Sequence, residues 1–195
     1  MTEDEDTTAK SDTTEEVVRA AFPELDAIDN DDLRARVIDA WTTAIEENGV
    51  EDLTAVPWLP PTQVELGLDN EYLVEHVRDV ASCAVALAEV LLKRRESALS
   101  LDVVVAGALV HDVSKLAEFD GMDGTPVYDL LGHPYYGVHL VAQAGLPTEI
   151  AHIVLSHSNR TAVEPATMEA ELVKRADEVA ASAIRARATD DLRSV

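Results

Sequence analysis

An unbroken apolar stretch in the middle of the chain most strongly constrains its fold. Residues 103–110 carry no polar side chain, and the surrounding segment from Leu101 to Leu116 is apolar on nearly every helical face until His111. A helix that is apolar all round has no face to present to water, so other helices must cover it. The stretch is far shorter than the roughly 20 residues that cross a bilayer. It therefore predicts a central, buried helix.

Helical periodicity also dominates the rest of the chain. Apolar positions recur at three- and four-residue steps between residues 70 and 95, and again between residues 31 and 49 behind an Asn30 cap. Further helices are expected at residues 15–21, 134–144, 148–156 and 167–187. No segment alternates with a period of two, so the predicted fold class is all-α.

Proline and charge divide the chain into four predicted regions. Residues 1–14 are mostly Thr, Ser, Asp and Glu, which predicts a flexible acidic arm. Residues 15–69 predict N-terminal helices and a proline-rich connector that pack on the core. Pro60-Pro61 cannot lie inside a helix, and Trp58 is expected to anchor the connector. Residues 70–187 form the main helical domain, and residues 188–195 form a C-terminal tail.

Charge and cysteine content exclude several classes of partner. The chain has 38 acidic and 15 basic residues, a net charge of −23, which argues against binding duplex nucleic acid or a membrane surface. A lone Cys83 cannot form an internal disulfide, and no signal peptide is evident, so the predicted location is cytoplasmic. Only four basic residues are lysines, and this distributed acidity resembles proteins of salt-in halophiles. An acidic mesophilic protein is the alternative interpretation.

The polar pair His111-Asp112 closes the central apolar helix and indicates a metal site. A carboxylate there is costly unless it is paired or binds a cation. His76 and Asp177 lie on helices that could flank it, and together the four side chains offer two imidazoles and two carboxylates. This nitrogen and oxygen set suits a divalent ion in a wedge between core helices, with Mn²⁺, Fe²⁺, Co²⁺, Ni²⁺, Mg²⁺ and Zn²⁺ as the candidates.

These residues carry a resemblance to a known family. His76, His111-Asp112 and Asp177 resemble the H…HD…D signature of the HD-domain metal-dependent phosphohydrolases, over roughly residues 70–182. The resemblance implies an HD-domain helical bundle whose metal ligands are His76, His111, Asp112 and Asp177. It implies that His133 and His157 bind either a second metal or the substrate phosphate. One departure is Lys174-Arg175 before Asp177, where relatives often have two histidines.

The predicted function is hydrolysis of a small phosphomonoester or of a phosphodiester, such as a cyclic one, by metal-activated water. The segments around His133 and His157 are similar to a small archaeal and bacterial subgroup that acts on such esters, which suggests a nucleotide-like or pterin-like substrate. The predicted catalytic residues are Asp112, Lys115, His133 and His157, and the predicted substrate-binding residues are Lys115 and Arg160. A solvated charge at Lys115 and an ordinary loop residue at Arg160 are the alternatives.

Two other function classes stay open at this stage. One is a regulatory module that binds metal and nucleotide without turnover, and the other is a di-iron oxygenase with similar ligands. Of the remaining polar residues, His139 and His152 are interpreted as structural. Residues 1–69 carry no interpretable motif and could cap the bundle or form the contact of a homo-oligomer.

Overall fold

The computed structural model describes residues 13–194, and over this range the protein is an all-helical bundle. The predicted fold class is therefore confirmed. All but the last two residues of the predicted arm lie outside the described range. The helices are α1 (13–21), α2 (Asp31–Asn48), α3 (Pro60–Leu66), α4 (Leu73–Arg95), α5 (Leu101–Val110), α6 (Lys115–Glu118), α7 (Pro126–Leu130), α8 (His133–Gln143), α9 (Thr148–Ser156) and α10 (Met168–Arg185).

Helix α5 is the central element of the bundle. Helices α2, α4, α9 and α10 all contact it, and its residues 104–110 are fully buried. Gly107 permits the close approach of α9, because a Cβ at this position would lie 2.5 Å from Ile153 Cδ1. Within residues 13–194 no helix has the length and apolarity to span a membrane. The sequence prediction of a buried central helix is correct in kind.

The N-terminal segment is packed onto this centre by two tryptophans. Trp41 of α2 is fully buried and donates its indole N–H to the carbonyl oxygen of Leu109, at 2.9 Å. Trp58 lies in the connector, is 1% exposed, and packs against Ala181 and Ile184 of α10. The Trp58 backbone N–H also donates to the carbonyl of Glu71 at 3.0 Å. These contacts hold the connector beside the helices that carry the polar residues of the core.

Two predicted boundaries are wrong. The helix expected to run from Leu101 to Leu116 ends at Val110, and a turn separates it from the short helix α6. The segment expected to be an irregular connector contains a helix, α3, which begins at Pro60-Pro61. Proline is acceptable in the first turn, where the missing N–H has no helical partner. A two-stranded hairpin, Phe119–Asp120 with Asp123–Gly124, follows α6.

Gly107→Ala should weaken the contact between α5 and α9. The added methyl group meets the Ile153 side chain at 2.5 and 3.0 Å, so it overpacks the core. We expect the free energy of unfolding to fall by about 1–3 kcal/mol in urea titrations, in spite of the better helix propensity of alanine. Ser82→Ala, at an exposed position of α4, is the control and should change stability little. A Gly107→Ala variant of wild-type stability would contradict this account of the packing.

Candidate active site

The turn that ends α5 places two buried polar side chains in the middle of the bundle. His111 is fully buried and Asp112 is 1% exposed. His111 Nδ1 lies 2.6 Å from the carbonyl oxygen of Ala108, so this nitrogen donates and Nε2 faces the interior with a free lone pair. The two polar side chains thus follow directly after the apolar helix, next to the helices that surround it.

His76 and Asp177 meet this pair from two neighbouring helices. His76 Nε2, on α4, lies 3.0 Å from Asp177 Oδ1, on α10, and 3.5 Å from Asp112 Oδ2. His111 Nε2 lies 3.3 Å from Asp112 Oδ2 and 3.9 Å from Asp177 Oδ1. The structure therefore brings together all four predicted metal ligands, although they span 102 positions of the sequence.

His133 and His157 approach the same carboxylate from its other side. His133, the first residue of α8, places Nε2 3.5 Å from Asp112 Oδ1, and His157, just after α9, places Nε2 3.6 Å from that oxygen. The two Nε2 atoms are 3.2 Å apart. His157 Nδ1 lies 2.7 Å from the carbonyl of Val154 and His133 Nδ1 lies 3.2 Å from Glu118 Oε2. Both Nε2 atoms therefore face the Asp112 carboxylate as possible ligands.

This donor set fits a divalent cation. His111 Nε2 and Asp112 Oδ1 are buried and have no hydrogen-bond partner among the described residues. Two groups, His76 with His111 and Asp177, and His111 with Asp112 and His157, each bring their ligand atoms within 4.8 Å of one another. Unpaired buried polar atoms are costly, and imidazole with carboxylate is a suitable set for a transition metal.

The electrostatics favour the metal-binding protonation state at four groups of the cluster. Burial lowers the pKa of His76 and of His133, which favours the neutral, ligating imidazole. Burial alone would raise the pKa of the Asp112 carboxyl, but the charges of Lys115 and the neighbouring imidazole hold it well below its usual range. Burial likewise opposes ionisation of Asp177, yet the hydrogen bond with His76 lowers its pKa. At His111, burial would lower the pKa, but the charge of Asp112 outweighs it and raises the pKa.

Comparison with known proteins agrees with this arrangement. A family model described as HD domain matches residues 73–182, which is more than half of the chain. The chain belongs to the HD domain family. The family resemblance seen in the sequence is thus confirmed.

One curated relative is similar to part of the chain. Dihydroneopterin 2′,3′-cyclic phosphate phosphodiesterase of Methanocaldococcus jannaschii is 33% identical over 111 residues. The match covers 54% of this chain and 45% of the relative, so the chain spans less than half of that protein. No solved structure matches the chain.

The two predicted cationic residues have different environments in the HD domain. Lys115 is 5% exposed, and its Nζ lies 2.7 Å from Asp112 Oδ2. Arg160 donates to Glu118 Oε1 and to the carbonyl of Tyr128, each at 2.9 Å, and its guanidinium lies over the Tyr128 ring. Both residues line the same cavity as Asp112. Lys115 therefore stands beside the ligand cluster, whereas Arg160 is held in the wall by partners of its own.

A cavity of about 380 Å³ opens onto the cluster and reveals residues that the sequence analysis missed. Trp58, Tyr128 and Arg185 line it, and Glu118 lies behind its wall, fully buried. The buried position of Glu118 has no local signal, because its partner Arg160 is 42 residues away. The sequence predicts Trp58 only as an anchor of the connector, not as part of a cavity. The cavity is lined by Trp58, Leu59, Pro61, Thr62, Asp112, Lys115, Tyr128, His133, His157, Ser158, Asn159, Arg160, Asp177, Glu178, Ala181 and Arg185.

The polar residues interpreted as structural lie away from this cluster. His152 Nε2 accepts the backbone N–H of Ala166 at 2.8 Å. His139 stacks on Tyr136, with the ring centroids 5.8 Å apart. Neither histidine lines the cavity, and the sequence-based separation of these two from His133 and His157 agrees with their placement.

Glu118 should be important for the stability of the wall. Its carboxylate accepts the backbone N–H of His133 at 2.6 Å, faces His133 Nδ1 and pairs with Arg160. Glu118→Gln removes the charge and turns one acceptor into a donor, so we expect the free energy of unfolding in urea to fall by about 1–3 kcal/mol. Glu89→Gln, exposed on α4, is the control with the same chemical change. Equal stability of the two variants would show that Glu118 contributes nothing.

Proposed function

We propose that the chain hydrolyses a small phosphoester, with a cyclic phosphodiester of a nucleotide-like or pterin-like alcohol as the leading candidate. One observation carries the proposal: the Asp112 carboxylate is buried with one oxygen near His76 and His111 and the other near His133 and His157. An acid that bridges two groups of imidazoles is the arrangement expected of a two-ion phosphoester site. The name of the curated relative, a cyclic phosphate phosphodiesterase, supports this class of substrate.

The proposed ligands divide into two groups that share one carboxylate. His76, His111, Asp112 and Asp177 would hold one ion, and Asp112, His133 and His157 would hold a second. When bound, such ions bring the pKa of coordinated water to about 7 and polarise a phosphoryl oxygen. The hydrogen bond of His157 Nδ1 to a backbone carbonyl supports a ligand role, since it leaves the Nε2 lone pair directed at the cluster.

Side chains of the cavity would bind and orient the substrate. The Lys115 ammonium lies at the cluster and lines the cavity, so it can offset negative charge on the reacting phosphate. Two N–H groups of Arg160 donate to Glu118 and to the Tyr128 carbonyl in the cavity wall. We therefore assign Arg160 mainly to the shape of the cavity and the position of Glu118, and only secondarily to contact with the phosphate. Trp58 covers one side of the cluster, with its ring 5.3 Å from that of His76, and excludes water there.

The test is hydrolysis after metal reconstitution. The panel comprises 2′,3′-cyclic nucleotides, nucleoside monophosphates and 4-nitrophenyl phosphate, each with Mn²⁺, Co²⁺, Ni²⁺, Mg²⁺, Zn²⁺ or anaerobic Fe²⁺. Because a net charge of −23 repels phosphate, assays run at low and at molar KCl, where screening should lower KM. We expect turnover that Asp112→Asn reduces at least a thousandfold, whereas Asp79→Asn, exposed on α4, leaves it unchanged. Metal and nucleotide binding without any turnover would instead support the regulatory module.

The bridging role of Asp112 predicts a change in metal stoichiometry. We expect about two Mn²⁺ per chain in the wild type by elemental analysis after equilibrium dialysis, because two ligand groups share the carboxylate. His157→Ala should leave about one, and Asp112→Asn should lower both. His139→Ala, which changes a histidine on α8 outside the cluster, is the control and should retain two. A wild type that binds one ion, with His157→Ala unchanged, would rule out the second site.

A further inference from the structure

We propose that Arg185 and Trp58 recognise the part of the substrate that is not hydrolysed, and that this part presents hydrogen-bond-accepting oxygens to Arg185. The inference rests on the proposed function for the place of the reacting phosphate. Both residues line the cavity, and neither lies within the residues 73–182 that match the HD family. They therefore lie outside the matched domain and border it on both sides in the sequence.

The Arg185 guanidinium has no ionic partner among residues 13–194. The guanidinium lies over the Trp58 ring, with Cζ 5.5 Å from the ring centroid. Arg185 contrasts with Arg160, which pairs with Glu118 in the same cavity. A cation–π contact uses the positive charge of the guanidinium and does not occupy its N–H donors. Arg185 is therefore a cation whose donors are available to a ligand.

Trp58 contributes a second unused donor. The residue is 1% exposed, and its Nε1 is buried without a hydrogen-bond partner among the described residues. A buried indole N–H normally has a partner, so its absence here requires an explanation. Both the indole and the guanidinium are donors that cannot accept. The group that they bind must therefore supply acceptor oxygens, as a second phosphate or a keto group does.

The geometry of α10 places the Arg185 backbone apart from the metal ligands, and the Trp58 ring lies between them, 5.3 Å from the His76 ring and 5.5 Å from Arg185 Cζ. Asp177, Ala181 and Arg185 all line the cavity, so the cavity runs along two turns of the helix. Eight residues of α-helix span about 12 Å, which places the Arg185 backbone well beyond the metal ligands. Lys115 remains at the cluster end, 2.7 Å from Asp112. A substrate with its phosphate at the cluster would extend its remaining part towards Arg185.

The test compares ligands that share a phosphate and differ in acceptors, with Mn²⁺-loaded protein and isothermal titration calorimetry. The probes are inorganic phosphate, ribose 5-phosphate, GMP, AMP and ADP, with recovery of intact ligand checked by chromatography. Arg185→Gln should raise the Kd of GMP or of ADP about tenfold and leave phosphate and ribose 5-phosphate within twofold. If Arg185→Gln weakens binding of GMP but not of AMP, the group that Arg185 binds is a keto group. If it weakens binding of ADP but not of AMP, that group is a second phosphate.

Matched variants separate recognition from other effects. Arg94→Gln removes the same charge at an exposed position of α4 and should change no Kd. Trp58→Phe keeps an aromatic ring and removes the N–H, so it should weaken the same probe about threefold. For Arg185→Gln, where a probe is turned over, KM should rise while kcat stays within twofold. An equal loss for every probe, inorganic phosphate included, or no loss for any probe, would overturn the proposal.

The outcome is separable from that of the proposed function. If the chain hydrolyses no phosphoester but GMP or ADP binding depends on Arg185, the proposed function fails and this inference stands. If phosphoesters are hydrolysed and binding of no probe depends on Arg185, the proposed function stands and this inference fails.

Discussion

The structure depends on a negative charge buried at the end of its most apolar helix. Removing a carboxylate from water costs several kcal/mol, and at Asp112 the surrounding helices supply what compensates it. Lys115 Nζ lies at 2.7 Å, and imidazoles from α4, α8, the end of α9 and the turn after α5 surround the two oxygens. These side chains compensate the charge only if their helices pack within a few ångströms of Asp112. The packing of the bundle and the geometry of the site therefore depend on each other.

The helical core and the ligand cluster were predictable because both have local signals. Periodicity alone locates α9 at its observed residues and α10 within two residues at each end. The pair His111-Asp112 stands out because polar residues interrupt an apolar run, and the family resemblance supplies the partners. The wrong boundaries have local causes too, since a turn after Val110 keeps the apolar composition of a helix and Pro60-Pro61 is compatible with a first turn.

The remainder of the site could not be predicted because tertiary contact alone defines it. Glu118 looks like an ordinary acid of a short helix until α8 and the loop of Arg160 enclose it. Arg185 looks like a helix-end cation until the connector places Trp58 beneath it. Tyr128 lines the cavity together with Trp58, and no local sequence pattern marks it. These residues come into contact only when segments that are distant in the sequence pack together, so no sequence pattern predicts their contacts.

Charge distinguishes the two ends of the cavity. The surface of a chain with a net charge of −23 repels an anionic substrate, so the cations of the cavity must reverse that potential locally. Lys115 and Arg160 each face a buried carboxylate, and this pairing fixes their positions while it neutralises part of their charge. Arg185 is held by an aromatic ring, which fixes its position and leaves its charge uncompensated. A cation in the last turn of α10 stabilises the helix through its dipole. In the cavity beside Trp58 the same cation lacks an ionic partner among the described residues, so its donors can also serve the ligand that we propose.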